Sequence, residues 1–173
     1  MNKGLPVKVE SSGGRYTYDD QGETPNTQIA TFTYEDGTIM VFEVRGRATN
    51  AEGGTKVGNL FYGSGGYFVE GAGKKFFDRK DKEIPIKEEH PIDTRGRFGN
   101  FLRAVRSRKE EDNFAPPEAG HIAAAHCHLA NVAYRVGHTL RFDPKTEQFV
   151  DDEEASKLLT RAYREPFVVP EIA

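Results

Sequence analysis

The sequence predicts an α+β protein, and three observations carry that reading. The first two-thirds of the chain consists of short β-rich runs separated by glycine-containing turns. Within them, Asp36-Gly37 joins Ile29–Glu35 to Thr38–Arg45, and Asp-Gly is a pair that tight hairpin turns favour. The last third is mostly helical, with apolar residues recurring at three- and four-residue spacing.

Taken in order, Pro6–Glu10 is a short strand candidate, and Ser11, Ser12, Gly13 and Gly14 read as its turn. A polar loop from Asp19 to Asn26 leads into the Asp36-Gly37 hairpin. A two-residue turn there sets Tyr34 opposite Ile39, Phe32 opposite Val41 and Ala30 opposite Glu43 on one face. Thr33 then faces Met40, Thr31 faces Phe42 and Ile29 faces Val44 on the other. Neither face is polar, whereas a hairpin with one solvated face alternates cleanly. Helices of the chain can cover one face, and the other calls for a partner domain or a second subunit.

Asn59–Tyr62 and Tyr67–Glu70 form a second hairpin around Gly63, Gly65 and Gly66, with Lys75–Asp78 as an added edge strand. Arg95–Lys109 is an amphipathic helix with Phe98, Phe101, Leu102 and Val105 on one face and Asp93 or Thr94 as its cap. Pro116 and Pro117 open a longer helix that runs to Val136 and ends at Gly137. Its stripe is Ile122, Ala125, Leu129, Val132, Ala133 and Val136. A strand at Leu140–Phe142, a short helix at Asp151–Leu159 and an extended Glu165–Pro170 complete the chain.

Composition excludes several functions. No apolar run reaches the roughly 18–20 residues of a membrane span, and MNKGLPVKVE has no basic-then-apolar leader pattern. The net charge of −3 disfavours electrostatic nucleic-acid binding. One cysteine, Cys127, allows no internal disulfide, and its alanine neighbours make it a small packing residue. The basic residues from Arg95 to Lys109 crowd a helix end, where cations suit the dipole, and read as a solvated surface.

Chemical motifs are sparse. A dinucleotide cradle needs Gly-x-Gly-x-x-Gly between a strand and a helix. Gly63-Ser64-Gly65-Gly66-Tyr67-Phe68 and Gly71-Ala72-Gly73-Lys74-Lys75-Phe76 both lack the last glycine and a following helix. His121, His126 and His128 share one helix, but not at the four-residue spacing of helical zinc ligands, so no metal is expected. His126 lies on the apolar stripe and reads as a hydrogen-bonded core or interface histidine. The segment 16–26 gathers tyrosines, carboxylates, hydroxyls and an amide, a composition suited to gripping a polyol. Tyr18, Asp19, Asp20, Glu23 and Asn26 are the candidate substrate-binding residues, and a plain solvated loop is the competing reading.

The order of landmarks goes further. GLPVKVESSGG, YDDQGETPNTQIATFTYEDGTIMVFEVRG, TNAEGGTKVGNLFYGSGGY, NFLRAVRSRKEEDNFAP, GHIAAAHCHLANVAYRVGHTLRFDPKTEQF and LLTRAYREPFVVPE resemble, in that order, the C-terminal domain of bacterial Gfo/Idh/MocA oxidoreductases. The resemblance implies a single C-terminal domain over residues 1–173, built on an open, largely antiparallel sheet with helices packed on one face. It implies an N-terminal Rossmann domain that this sequence lacks. It implies NAD or NADP in the intact enzyme, no cofactor in this chain, and a sugar or polyol substrate. It also implies a homo-oligomer formed through the sheet, a soluble protein, and a cytoplasmic location unless the missing N-terminus carries an export signal. The family's catalytic Glu-Lys-Pro lysine and its histidine have no counterpart here, so the resemblance assigns no catalytic residue. The alternative is a stand-alone, non-catalytic binding or assembly module derived from the same domain.

Overall fold

The computed structural model describes residues 3–17, 19–46, 51–71, 73–85 and 96–169. In chain order the strands are β1 (Lys8–Gly14), β2 (Thr27–Thr33), β3 (Ile39–Arg45), β4 (Asn59–Gly63), β5 (Gly66–Glu70), β6 (Lys74–Asp78) and β7 (Glu83–Ile84). Helices α1 (Gly96–Ser107) and α2 (Pro117–Val136) follow, then β8 (Leu140–Asp143), β9 (Gln148–Phe149) and α3 (Glu153–Ser156). The described residues divide into two compact units, one within 1–47 and 115–173 and the other within 48–114.

The first unit is an antiparallel sheet of order β3-β2-β1-β8-β9. Helix α2 lies on one face, mainly over β1. It places Leu129, Ala130, Val132 and Ala133 against Val9, Ala30, Phe32, Leu140 and Phe142. The expected start and end of this helix are found, with Gly137 closing it in the left-handed region at φ 74°. Gln28 fastens helix to sheet: its Nε2 donates to Ser11 Oγ at 2.9 Å and to the Ala130 carbonyl at 3.2 Å.

The hairpin differs from its expected form by one residue. Tyr34 N–H donates to Thr38 O at 2.9 Å and Gly37 N–H to Tyr34 O at 2.9 Å, so the loop is Glu35-Asp36-Gly37. This is a three-residue hairpin loop in which only Gly37, at φ 80°, enters the left-handed region. The one-residue shift reassigns every β3 side chain. Phe32 pairs with Met40 and Ala30 with Phe42, while Thr31 pairs with Val41 and Ile29 with Glu43. Met40, Phe42 and Val44 therefore join Phe32 on the helix-covered face. Ile39, Val41 and Ile29 share the opposite face, where they are 61%, 60% and 45% exposed. On that open face Ile29, Ile39 and Val41 stand among Thr27, Thr31 and Thr33 of β2, Glu43 and Arg45 of β3, and Lys8, Glu10 and Ser12 of β1.

Ser11 to Gly14, expected as a turn, continue β1 to pair with β2 down to Thr27. Gly13 is there for space, since a Cβ on it would stand 2.2 Å from Thr27 O. Near the C-terminus the expected helix 151–159 is a single α turn, α3, continued by a 3-10 turn at Lys157–Leu159.

The second unit contains an antiparallel meander, β4-β5-β6-β7. The second expected hairpin is present, and β6 is internal rather than an edge because β7 pairs with it. Cross-strand rings run along both faces: Phe61, Phe68 and Phe76 at centroid spacings of 5.7 and 5.8 Å, and Tyr62, Tyr67 and Phe77 at 5.8 and 4.8 Å. Helix α1 ends at Ser107 rather than Lys109, and Arg108 follows at φ 56°. Its expected start at Arg95 and the caps Asp93 and Thr94 lie outside the described residues. The end of α1 is more than a solvated surface. Asn100 Nδ2 donates to Asp112 O at 2.6 Å, Phe114 N–H donates to Asn100 Oδ1 at 3.1 Å, and the Arg103 guanidinium pairs with the Asp112 carboxylate. Hydrogen bonds from Ser107 and then Arg103 hold the Asp112 carboxyl below its usual pKa.

Candidate functional site

Polar side chains gather in two places in the first unit. One is the loop between β1 and β2, at the C-terminal half of α2. Arg15 staples it: Nη1 donates to Thr24 O at 2.8 Å, and Nη2 pairs with the Asp20 carboxylate, which also accepts from Gly22 N–H at 2.8 Å. Asn26 closes the loop with its side chain. Its Oδ1 accepts from Tyr16 N–H at 3.1 Å and its Nδ2 donates to Tyr16 O at 2.9 Å, imitating one more rung of the β1–β2 ladder. Its backbone carries the two ladders onward, donating to Gly14 O at 3.1 Å and accepting from Gly46 N–H at 2.7 Å.

The five residues expected to bind substrate thus separate by role. Asp20 and Asn26 spend their hydrogen-bonding groups on the loop itself. Asp19 is exposed, and Glu23, whose side chain is 85% exposed, reaches Arg135 of α2 at 3.8 Å. Tyr18 lies outside the described residues. Sequence reading missed Arg15 and Arg135, because what they do depends on backbone and loop atoms brought close only by folding.

Asn26→Ala is expected to lower stability by about 1–2 kcal/mol, two hydrogen bonds being lost. Glu23→Ala should stay within about 0.5 kcal/mol, as an exposed pair at that distance contributes little. Chemical denaturation of the two single variants separates them, and equal losses would refute this assignment of roles.

The second place is a groove of about 700 Å³ whose walls include Lys3, Tyr34, Asp36, Glu118, His121 and Glu147. Four of its charged or ionisable side chains meet in two pairs, Lys3 with Asp36 and His121 with Glu147. Lys3 Nζ binds the Asp36 carboxylate and donates to Thr38 Oγ1 at 3.0 Å, and this lysine contact is the largest cause holding the Asp36 carboxyl at about 2. His121 Nε2 stands 2.9 Å from both carboxylate oxygens of Glu147. Behind the wall, His126 Nδ1 lies 2.7 Å from Ile122 O, which can only accept, so the proton is on Nδ1. His126 Nε2 is then free to accept from Tyr34 Oη at 2.9 Å. This is the hydrogen-bonded core histidine that the apolar stripe predicted, its ring edge-on to Phe32 at 5.1 Å. Burial pushes the Tyr34 hydroxyl pKa up, so it remains a neutral donor.

Neither place joins a nucleophile to a base in a way that would support catalysis. Gly63 and Gly66 flank the β4–β5 hairpin turn, and Gly71 N–H donates to Gly73 O at 2.9 Å in the β5–β6 turn. Both glycine clusters join antiparallel strands, so neither offers the helix N-terminus that a pyrophosphate needs. Neither glycine cluster fits the pyrophosphate of a dinucleotide. No group of three or more His, Cys, Asp or Glu among them is disposed to hold a metal, and none of their helices is long and apolar enough to cross a membrane. Cys127, expected to be packed, is exposed on α2.

The arrangement is an α+β domain whose antiparallel sheet carries helix α2 on one face. Residues 2–169 match the family described as "Oxidoreductase family, C-terminal alpha/beta domain". The chain belongs to this Gfo/Idh/MocA family. Among curated proteins no sequence matches. Two solved structures share the fold at TM-score 0.57. One is a Thermotoga maritima protein described as a "putative oxidoreductase", at 19% identity over 77% of this chain and 39% of that one. The other is the UDP-N-acetylglucosamine 3-dehydrogenase of Acidithiobacillus ferrooxidans, at 15% identity over 77% of this chain and 42% of that one. The chain therefore matches about two-fifths of the length of these proteins.

Proposed function

We propose that the chain is the substrate-side and oligomerisation part of an NAD(P)-dependent sugar or polyol dehydrogenase, without redox activity on its own. The observation that carries this reading is the match of residues 2–169 to a C-terminal oxidoreductase domain in a chain whose glycine clusters are hairpin turns. A dehydrogenase acting on a sugar nucleotide among the proteins of like fold supports a sugar-type substrate. In this reading NAD or NADP and the catalytic groups belong to a nucleotide-binding domain. Asp19 and Glu23 then meet the substrate from the loop, Tyr18 being the further candidate contact, while Asp20 and Asn26 hold the loop in shape. The open face of the sheet, around Ile29, Ile39 and Val41, packs against a second copy.

Titrating NADH into the chain, followed by fluorescence or calorimetry, is expected to show no saturable binding tighter than about 1 mM, near 4 kcal/mol. Saturation in the micromolar range would overturn the assignment of the cofactor to another domain.

A further inference from the structure

The ends of α2 face two histidine–carboxylate contacts, and both carboxylates belong to the segment carrying β9 and α3. At the N-terminal end, His121 meets Glu147. Just past the C-terminal end, His138 Nε2 stands 2.7 Å from Asp152 Oδ2, and its Nδ1 stands 3.2 Å from Val136 O. Asp152 is also the cap of α3, accepting from Ala155 N–H at 2.9 Å. Glu147 and Asp151, which bracket β9, both have φ 55°, a left-handed conformation that non-glycine residues hold only when their surroundings impose it. One of these strained residues is a clasp carboxylate and the other adjoins one. The segment between them supplies Phe149 and Ala155 to the core, 6% and 0% exposed.

We infer that the His121–Glu147 and His138–Asp152 contacts clasp β9 and α3 against α2, and that the His138 point is proton-operated. Imidazolium makes the His138 contact an ion pair, and neutral imidazole leaves a weaker hydrogen bond. His138 follows the negative end of α2, which favours its charge. The Asp152 hydrogen bond is the largest cause raising the His138 pKa; it outweighs the desolvation cost, and the Val136 carbonyl and the Asp152 and Glu154 charges add to the rise. Glu10 of β1 is near, accepting from Thr139 Oγ1 at 3.0 Å. Around His121 the groove also presents Glu35, Asp36 and Glu118, with Lys3 as the opposing cation.

The direction with pH follows. A histidine whose folded pKa is raised stabilises below its unfolded value, about 6.5, and that contribution is lost as pH rises through the folded value. The Asp152 carboxyl is held low by the Ala155 amide and then by His138, so its contribution is present above about 4 and lost on acidification. The clasp is therefore tightest between about pH 4 and 6.5 and loosens on the alkaline side.

Amide hydrogen exchange on the chain, read as protection factors so that the intrinsic pH dependence cancels, tests this. The reporters are Val150, whose N–H bonds Arg141 O, and Ala155, with Ala133 N–H in α2 as the internal reference. From mildly acidic to mildly alkaline buffer, protection of Val150 and Ala155 relative to Ala133 is expected to fall severalfold. The His121→Gln, His138→Gln double variant keeps side-chain donors that cannot gain a proton and should abolish the slope. Asp152→Asn keeps a helix-capping side chain and should reduce the slope, which guards against a double variant that folds poorly. A wild-type ratio that does not change with pH, or a slope that survives both variants, overturns the inference.

Discussion

Val41→Glu is expected to convert a self-associating chain into a smaller, folded species. Val41 is 60% exposed, beside Ile39 at 61% and Ile29 at 45%, on the sheet face that α2 does not cover. A charge there costs the folded monomer little, because exposed substitutions usually fall within about 0.5 kcal/mol. Across a sheet-to-sheet interface the same carboxylate would be buried without a partner, at a cost of about 2–5 kcal/mol. A loss of about 3 kcal/mol raises Kd roughly a hundredfold. Light scattering on parent and variant, with circular dichroism to confirm folding, is the measurement. A parent that stays monomeric at high micromolar concentration defeats this expectation and assigns the open face to another domain.

Phe32→Ala is expected to lose about 3–5 kcal/mol of stability, the range for removing a fully buried phenylalanine. Phe32 is 1% exposed, pairs across the strands with Val9 and Met40, and meets the His126 ring edge-on at 5.1 Å. The loss has two parts: apolar area returned to water and a cavity beneath α2 that the His126–Tyr34 hydrogen bond keeps from collapsing. Urea unfolding should show a lower midpoint at an unchanged slope. A loss below about 1 kcal/mol would mean that α2 closes onto the sheet after truncation.

Val41→Glu changes meaning under a one-residue shift of register, whereas Phe32→Ala does not. A two-residue Asp36-Gly37 turn puts Val41 on the Phe32 face, whereas the three-residue loop puts it on the open one. Sequence contains the glycine, but the choice between the two loops rests on whether the Tyr34–Thr38 pair closes. That in turn rests on which β3 side chains pack beneath α2, and the observed register puts Met40 against the core beside Phe32. The site shows the same division. Polarity marked the 16–26 loop, yet it could not separate Asn26, committed to Tyr16, from the exposed Asp19 and Glu23.

The sequence by itself determined the α+β class, the family, the long helix from Pro117 to Val136 and the histidine in its core stripe. Each follows from local periodicity, from punctuation by proline and glycine, or from the order of whole segments, and none needs a distant partner. Tertiary structure alone decided the hairpin register, the extension of β1 through Gly13 and Gly14, the internal staples of Arg15 and Asn26, and the two histidine contacts at the ends of α2. All of these are pairings across turns and loops between residues that are not sequence neighbours, whose energies arise only when folding brings particular atoms within hydrogen-bonding or packing distance.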